Sequence, residues 1–413
     1  MDLLFVTHYF PPEVGAPQTR LYELGRRLAA RGHRVTVLTG FPNYPTGVIP
    51  APYRGKFFQR EMMAGMNVVR AWMYAAPQQG FTRRLLNHLS LTLTSIPASA
   101  AAGHADVLFV ESPPLLLGLA GYVISRLKRA PYVFNVADLW PETAVALGAL
   151  TNPLAIRLAE WLARFIYRHA ARVTTVTDGI RRLLVEQGLP DSQVILLTNG
   201  VDTSCFHPDV DPEPAVKALG LDGRLTVAYA GTHGLAQGLE ALIEAAHLLR
   251  HDGHLRFILV GEGAEKSKLV GKVADHELEN VSFFPNQPKS LMPHLWAAVD
   301  IGVVCLRRLE IFRSALPSKL FEIMAAGRPV VLAAEGEARD LVLGAEAGLV
   351  VSPEDGADLA QAIQQLAADP EARRRYGENA RRYVQAHFDR EHLTDLLEAT
   401  FNDIEEKHHA RAG

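Results

Sequence analysis

The stretch Ala315-Leu316-Pro317-Ser318-Lys319-Leu320-Phe321-Glu322-Ile323-Met324-Ala325-Ala326-Gly327-Arg328-Pro329-Val330 decides the fold. An apolar run from Asp300 to Leu306 precedes it and another begins at Pro329, so it reads as loop, short helix and entry into the next strand. Strand, helix and strand in this order make a parallel α/β unit. Ser318 is placed to cap the helix, where open amides, the positive helix end and the Lys319 ammonium converge on one anion. Phosphate is the obvious candidate. Glu322 lies one turn further on the same helix, placed to accept hydrogen bonds from sugar hydroxyls carried by that phosphate. An ordinary cap with a surface Lys/Glu pair is the plainer alternative.

Pro-Ser-Lys-x-x-Glu followed by Met-Ala-Ala-Gly-x-Pro-Val resembles the C-terminal donor-sugar motif of GT4-type glycosyltransferases with the GT-B fold. The resemblance implies an α/β protein of two Rossmann-like, doubly wound parallel-sheet domains facing across a cleft, with Ser318, Lys319, Leu320 and Glu322 at the donor. In that family another glutamate precedes the one matched by Glu322, and Ser314 stands at its position.

A chain of 413 residues, 48% hydrophobic, has room for two packed domains. A formal charge of −3 gives no basic field for nucleic acid. The two cysteines, Cys205 and Cys305, show no CxxC or Cys/His spacing, so neither a disulfide framework nor a zinc site is expected. Met1-Asp2 leads straight into a strand, so no secretory signal is expected, and no apolar run is long enough to span a membrane. A cytoplasmic location follows.

In the N-terminal half, Leu3 to Val6 is a strand, and a helix follows from about Pro17 to Arg31. The loop between them holds Glu13 and Gly15, and Gly15 lets backbone approach a phosphate or serves as a simple turn. His8-Tyr9-Phe10-Pro11-Pro12 resembles the GT4 opening, where a Gly-rich loop meets the sugar diphosphate. A second strand, Val35 to Thr39, runs into Gly40-Phe41-Pro42-Asn43-Tyr44-Pro45-Thr46-Gly47, a long loop where Asn43 and Tyr44 offer hydrogen bonds and a stacking face to an acceptor. Phe81 to Ala102 is helical, with Arg83, Arg84 and His88 among leucines. Two readings stay open, a core-facing helix or an amphipathic patch on a membrane surface, with Arg126, Lys128 and Arg129 extending its basic rim.

Strands at Asp106 to Glu111 and Pro131 to Val136 follow, the latter leading into Asp138-Leu139-Trp140-Pro141-Glu142. Two carboxylates at the mouth of a parallel sheet are candidate catalytic groups, unless Asp138 merely caps a helix. The stretch resembles a GT4 pattern whose histidine falls on Ala137. After strands Val173 to Thr177 and Val194 to Leu197, Asn199-Gly200-Val201-Asp202 with Phe206 and Pro208 resembles the GT4 inter-domain connector, read with Pro208 to Pro214 as a flexible linker. The domains are thus 1–198, with a C-terminal helix 389–406 returning to it, and 199–388. Residues from Lys407 onward are expected to fray.

The C-terminal half opens with strand Leu225 to Ala230 and Gly231-Thr232-His233-Gly234, a glycine turn into a helix suited to phosphate. The family's diphosphate-gripping Arg and Lys fall on Thr232 and Gln237. Gly261 ends another strand, Asn286 offers a hydrogen bond to uracil, and Arg307 or Arg308 is a candidate replacement cation.

The resemblance implies transfer with anomeric retention from a UDP-sugar, without cofactor or required metal. Lys319 would grip the diphosphate, Glu322 the ribose, and Asp138, Glu142 or Glu13 would orient the acceptor hydroxyl. The missing family His and Glu resemble the WbuB-like amino-sugar transferases of O-antigen and capsule assembly, implying an N-acetylated amino sugar, a lipid-diphosphate-linked glycan acceptor and peripheral contact with the inner membrane face through 81–102. A non-hydrolysing UDP-sugar 2-epimerase and a non-catalytic nucleotide-binding scaffold remain alternatives.

Overall fold

The computed structural model describes residues 1–44, 46–75, 81–146 and 148–412. The chain divides into two units, Met1–Asn199 with Glu391–Gly413, and Gly200–Arg390. The boundary expected at 198/199 thus lies at 199/200, and the return expected from 389 begins at Glu391.

In the first unit β1 (Asp2–Val6), β2 (Arg34–Gly40), β3 (Phe58–Met63), β4 (Met66–Ala71), β5 (Val107–Ser112), β6 (Tyr132–Val136), β7 (Arg172–Thr175) and β8 (Val194–Leu196) form one sheet, in the order β3-β4-β2-β1-β5-β6-β7-β8. Strands such as Leu3-Leu4-Phe5-Val6 are apolar at every position because helices cover both faces, as parallel pairing requires. The hairpin β3–β4 departs from the expected all-parallel sheet. Its outer strand carries Gln59, Arg60 and Glu61 and buries no residue fully, the polar edge that discourages a further strand.

Helices α1 (Ala16–Ala30), α2 (Phe81–Ala98), α3 (Leu116–Lys128), α4 (Glu142–Ala146), α5 (Pro153–His169) and α6 (Asp178–Glu186) complete this unit with the C-terminal helix, Arg390–Ala412. Leu3, Phe5, Val35, Val37, Phe109 and Val133 point to one face, where they bury Leu21, Leu24 and Leu28 of α1 and Leu393, Leu397 and Phe401 of the C-terminal helix. Each fully buried Leu or Phe contributes about 1.5–3 kcal/mol. The opposite face takes α3, whose Gly118 and Gly121 lie against Phe134 and Val110, and α2, whose Leu91 meets Ala71 and Met73. The C-terminal helix is assigned continuously to Ala412, past the Lys407 from which fraying is expected.

The second unit orders β9 (Leu225–Ala230), β10 (Leu255–Val260), β11 (Val281–Phe284), β12 (Ile301–Cys305), β13 (Val330–Ala333) and β14 (Gly348–Val351) as β11-β10-β9-β12-β13-β14, all parallel. It adds α7 (Glu213–Leu219), α8 (Glu240–Leu248), α9 (Lys266–Asp275), α10 (Met292–Ala298), α11 (Ser318–Ala325), α12 (Glu337–Gly344), α13 (Gly356–Ala368) and α14 (Pro370–His387). Ala228, Ile258 and Val304 pack against α10, α11 and α14, whereas Val227, Phe257 and Val303 pack against α8 and α13, so the sheet is wound on both faces.

The first residues of the connector pack on the second unit. Gly200 takes the left-handed conformation of an Asn-Gly turn (φ 57°), but Val201 and Phe206 are buried in the second unit's core. The Val201 amide donates to Phe388 O, and the Arg381 guanidinium donates to the carbonyls of Thr203 and Phe206. Among the described residues no helix is long and apolar enough to cross a membrane.

Candidate active site

Strand order reverses beside β9 in the second unit, and a doubly wound sheet binds ligands at the carboxyl ends of the strands flanking such a reversal. The loops after β9 and β10 meet there through glycine. A Cβ on Gly261 (φ 151°) would stand 1.9 Å from Gly231 O, and one on Gly231 (φ 142°) would stand 2.8 Å from Lys319 Nζ. Two backbones and an ammonium therefore occupy space that any side chain would fill. His233 is anchored by its own amide on Glu262 O and by its carbonyl accepting from the Glu265 amide. Its ring is buried, and neither nitrogen has a partner. Burial, with Lys266 and Lys319 nearby, holds the imidazole down to about 4, so it is neutral at pH 7.

Lys319 enters from α11. Its Nζ donates to the Tyr229 hydroxyl at 2.5 Å and lies 3.7 Å from that ring's centroid, while the Tyr229 hydroxyl donates onward to Thr232 O. Burial lowers the ammonium from 10.5 to about 7. Among the described residues no carboxylate forms an ion pair with it, and its hydrogen bond goes to Tyr229. One turn on, Glu322 accepts from Trp296 Nε1 at 3.2 Å, and its carboxyl is pushed up by burial against that hydrogen bond.

Several expectations change at this site. Pro317, not Ser318, occupies the cap position, and no side chain caps α11, because the preceding proline already holds the extended conformation a cap needs. Leu320 is buried in the core and its amide donates to Pro317 O, so it offers no open N–H to a donor. Arg307 pairs with Glu354 and Arg308 with Glu335, so neither is a spare cation for phosphates. Gly234 starts a single 3₁₀ turn and its amide is taken by Gln237 Oε1. Thr232 and Asn286 are exposed on their loops, and Ser314 donates to Ile311 O. Asp209-Val210-Asp211 is an Asp-x-Asp triplet, but Asp211 Oδ1 serves the Glu213 amide at the start of α7. Tyr229, Trp296 and Lys266, whose Nζ donates to Gly261 O and to Glu262, escaped the sequence reading because nothing local to them signals a site.

In the first unit Glu13 is buried and accepts three amides, from Phe10 at 3.3 Å and from Asn43 and Tyr44 at 2.8 Å each. It staples the loops after β1 and β2 together, and burial raises its carboxyl. Asn43 is buried too, donating to Phe41 O, so its side chain serves the loop and is not presented to an acceptor as expected. Tyr44 is exposed with its ring 5.4 Å from Tyr9, a shelf suited to stacking; Pro45 lies outside the described residues. Gly15 immediately precedes α1. His8, bonded to Asn87 at 2.8 Å and edge-on to His88, adds a polar cluster beside Tyr9 that brings the opening motif against α2. After β6, Asp138 accepts from Thr143 Oγ1 at 2.8 Å and its carboxyl is raised by burial, with Glu142 reinforcing the shift. Glu142 accepts from Gln187 at 3.1 Å. Glu13 thus ties two loops together, whereas Asp138 and Glu142 lie on the segment after β6.

Two doubly wound units, one with a buried ammonium beside a glycine cradle, define a Rossmann-like α/β protein. Residues 15–200 match the family described as Glycosyl transferase 4-like domain, and residues 213–383 match Glycosyl transferases group 1. A D-inositol 3-phosphate glycosyltransferase of Nocardia farcinica is 30% identical, over 75% of this chain and 69% of its own. A putative colanic acid biosynthesis glycosyl transferase, WcaI of Escherichia coli K12, is 28% identical over 98% of this chain and its whole length. The chain belongs to this family of glycosyltransferases, an assignment that sets aside the epimerase alternative. Its fold is shared with Anabaena HepE solved in complex with UDP-glucose (TM-score 0.73, 19% identity, 98% of this chain and 100% of that one).

Proposed function

We propose that this glycosyltransferase moves a sugar, with retention at the anomeric carbon, from a UDP-sugar to a lipid-diphosphate-linked glycan acceptor in surface polysaccharide synthesis, without a required metal. Lys319 carries the donor half of this reading. An ammonium held near 7 by burial gains a partner when a diphosphate enters, and stabilises the charge that grows as the sugar–phosphate bond breaks. Glu322, one turn on, takes the ribose hydroxyls, and the Gly231 and Gly261 backbones admit the phosphates. The acceptor hydroxyl forms the new bond to the anomeric carbon and its proton leaves with the departing diphosphate. Asp138, with a raised carboxyl, is the group of the first unit that orients this hydroxyl, and Tyr44 stacks on an acceptor ring. The colanic acid relative supports the polysaccharide setting, and the UDP-glucose complex of HepE supports the nucleotide. Contact of residues 81–102 with the inner face of the cell membrane belongs to the same reading.

Isothermal titration with UDP and then GDP, on the intact protein and on Lys319→Ala and Glu322→Ala, tests it. UDP binding weakened by both substitutions is the expected outcome and leads to transfer assays on lipid-linked acceptors. Absence of nucleotide binding by folded protein would sink the donor site and favour a scaffold.

A further inference from the structure

The first unit exposes a second apolar stripe that the sequence reading did not single out. On α5, Leu154, Leu158 and Trp161 are 76%, 63% and 56% exposed, and their spacing puts them on one face with Phe165, whose ring stacks on Trp161 at 5.7 Å. Arg157, Arg164 and Arg168 are exposed and follow one edge of that stripe at the same helical period. The other edge faces α3, where Ile166 packs against Gly118 and the Phe165 ring meets Tyr122 at 5.0 Å.

α3 also packs along α2, and α2 is turned inside out relative to a water-facing helix. It buries Asn87, Thr92 and Ser95 and shows Leu85, Leu86, Leu89 and Leu93 to the exterior. Leu119 of α3 is exposed between them. A soluble helix keeps its apolar residues on the core, so two helices that both pack on α3 and each turn large apolar side chains outward mark an interaction face.

Charge chooses the occupant. These three helices carry Arg83, Arg84, Arg126, Lys128, Arg157, Arg164 and Arg168 against one acid, Glu160, which lies 3.9 Å from Arg164. A second copy of the chain would bring cation to cation. An anionic bilayer instead offers headgroups to the arginines and acyl chains to the leucines, with Trp161 at the boundary it favours.

We propose that α5 together with α2 forms a two-helix platform that seats the first unit on an anionic membrane surface, with Trp161, Leu154 and Leu158 inserted and the arginine edge on lipid headgroups. This platform extends the contact at 81–102 and rests on the proposed function for its purpose, though its binding is measured without donor or acceptor.

Co-sedimentation of the full chain with vesicles of phosphatidylcholine alone, or mixed with phosphatidylglycerol, tests it. The protein is expected to sediment with the mixed vesicles only, less so as salt rises. Replacing Arg157, Arg164 and Arg168 by Gln weakens partitioning about a hundredfold. The variant with Leu154→Ser, Leu158→Ser and Trp161→Ser abolishes it without moving the unfolding midpoint, since these side chains are exposed. Wild type left in the supernatant overturns the platform, as does undiminished sedimentation of both variants. A vesicle-free dimer that dissociates in the serine variant overturns it too, and assigns the face to a second copy. UDP binding lost while vesicle binding persists would count against the donor reading alone.

Discussion

The loop after β1 and the loop after β9 occupy equivalent places in their sheets, yet they treat polar groups in opposite ways. In the first unit Glu13 collects three amides and joins two loops, so the loop is internally satisfied. In the second, His233 is buried with no partner, Lys319 is lowered to about 7 by burial, and Glu322 is raised by the same cause. Unpartnered buried groups cost stability until something binds them. One loop is therefore internally satisfied, whereas the other keeps buried polar groups at a cost to stability, a cost that a bound donor relieves on the proposed function.

Breaking the staple has the largest effect. Glu13→Ala strips three amides of their acceptor at a buried position and lowers unfolding stability by about 3–5 kcal/mol, read from urea denaturation. A loss below about 1 kcal/mol would mean that water replaces the carboxylate, and the contrast between the loops would fail.

Gly261→Ala comes next. Its Cβ would stand 1.9 Å from Gly231 O at a φ of 151°, so the two loops must separate, costing about 3 kcal/mol and UDP binding with it. Calorimetry showing normal affinity in this variant would remove the glycine cradle from the donor site.

Lys319→Met should act in the opposite direction on stability. Removing a buried ammonium raises stability at pH 7 by about 1 kcal/mol, while UDP affinity falls about tenfold to a hundredfold. The pH dependence has a defined sign. Between about 7 and the ordinary lysine value of 10.5 the unfolded chain holds a proton that the folded chain has released, so stability of the free protein rises with pH across that window. UDP affinity falls over the same window, because the diphosphate needs the ammonium. In Lys319→Met both slopes flatten; if they persist, another group titrates.

The strands were legible because parallel sheets write themselves as continuous Val, Leu, Ile and Phe runs, as at Leu3 to Val6 and Val107 to Val110. The hairpin Phe58 to Ala71 was not, since an edge strand bearing Gln59, Arg60 and Glu61 lacks that signature. The period of leucines on α2 was visible but not their direction, because periodicity marks a face without saying whether protein or something else covers it. The Lys319 motif was readable at its place in the chain. Its partner Tyr229 was not, as the two are 90 residues apart and meet only through the fold. The error at Ser318 came from the proline before it, which takes the cap position itself.

The smallest expected effect is Gly15→Ala, and it sharpens the contrast most. Gly15 has φ 169°, extended backbone that any residue adopts, and an added Cβ would meet only the far end of the Gln18 side chain, which can turn away. The expected cost is below about 1 kcal/mol. Stability is thus nearly silent at this position, and sugar transfer reads its function alone. If transfer collapses while the unfolding midpoint holds, the backbone at Gly15 must approach the substrate and the first loop is scaffold and site together. If transfer is unchanged, the glycine is only the entry to α1, and gripping the diphosphate rests on Lys319 and the second unit's glycines.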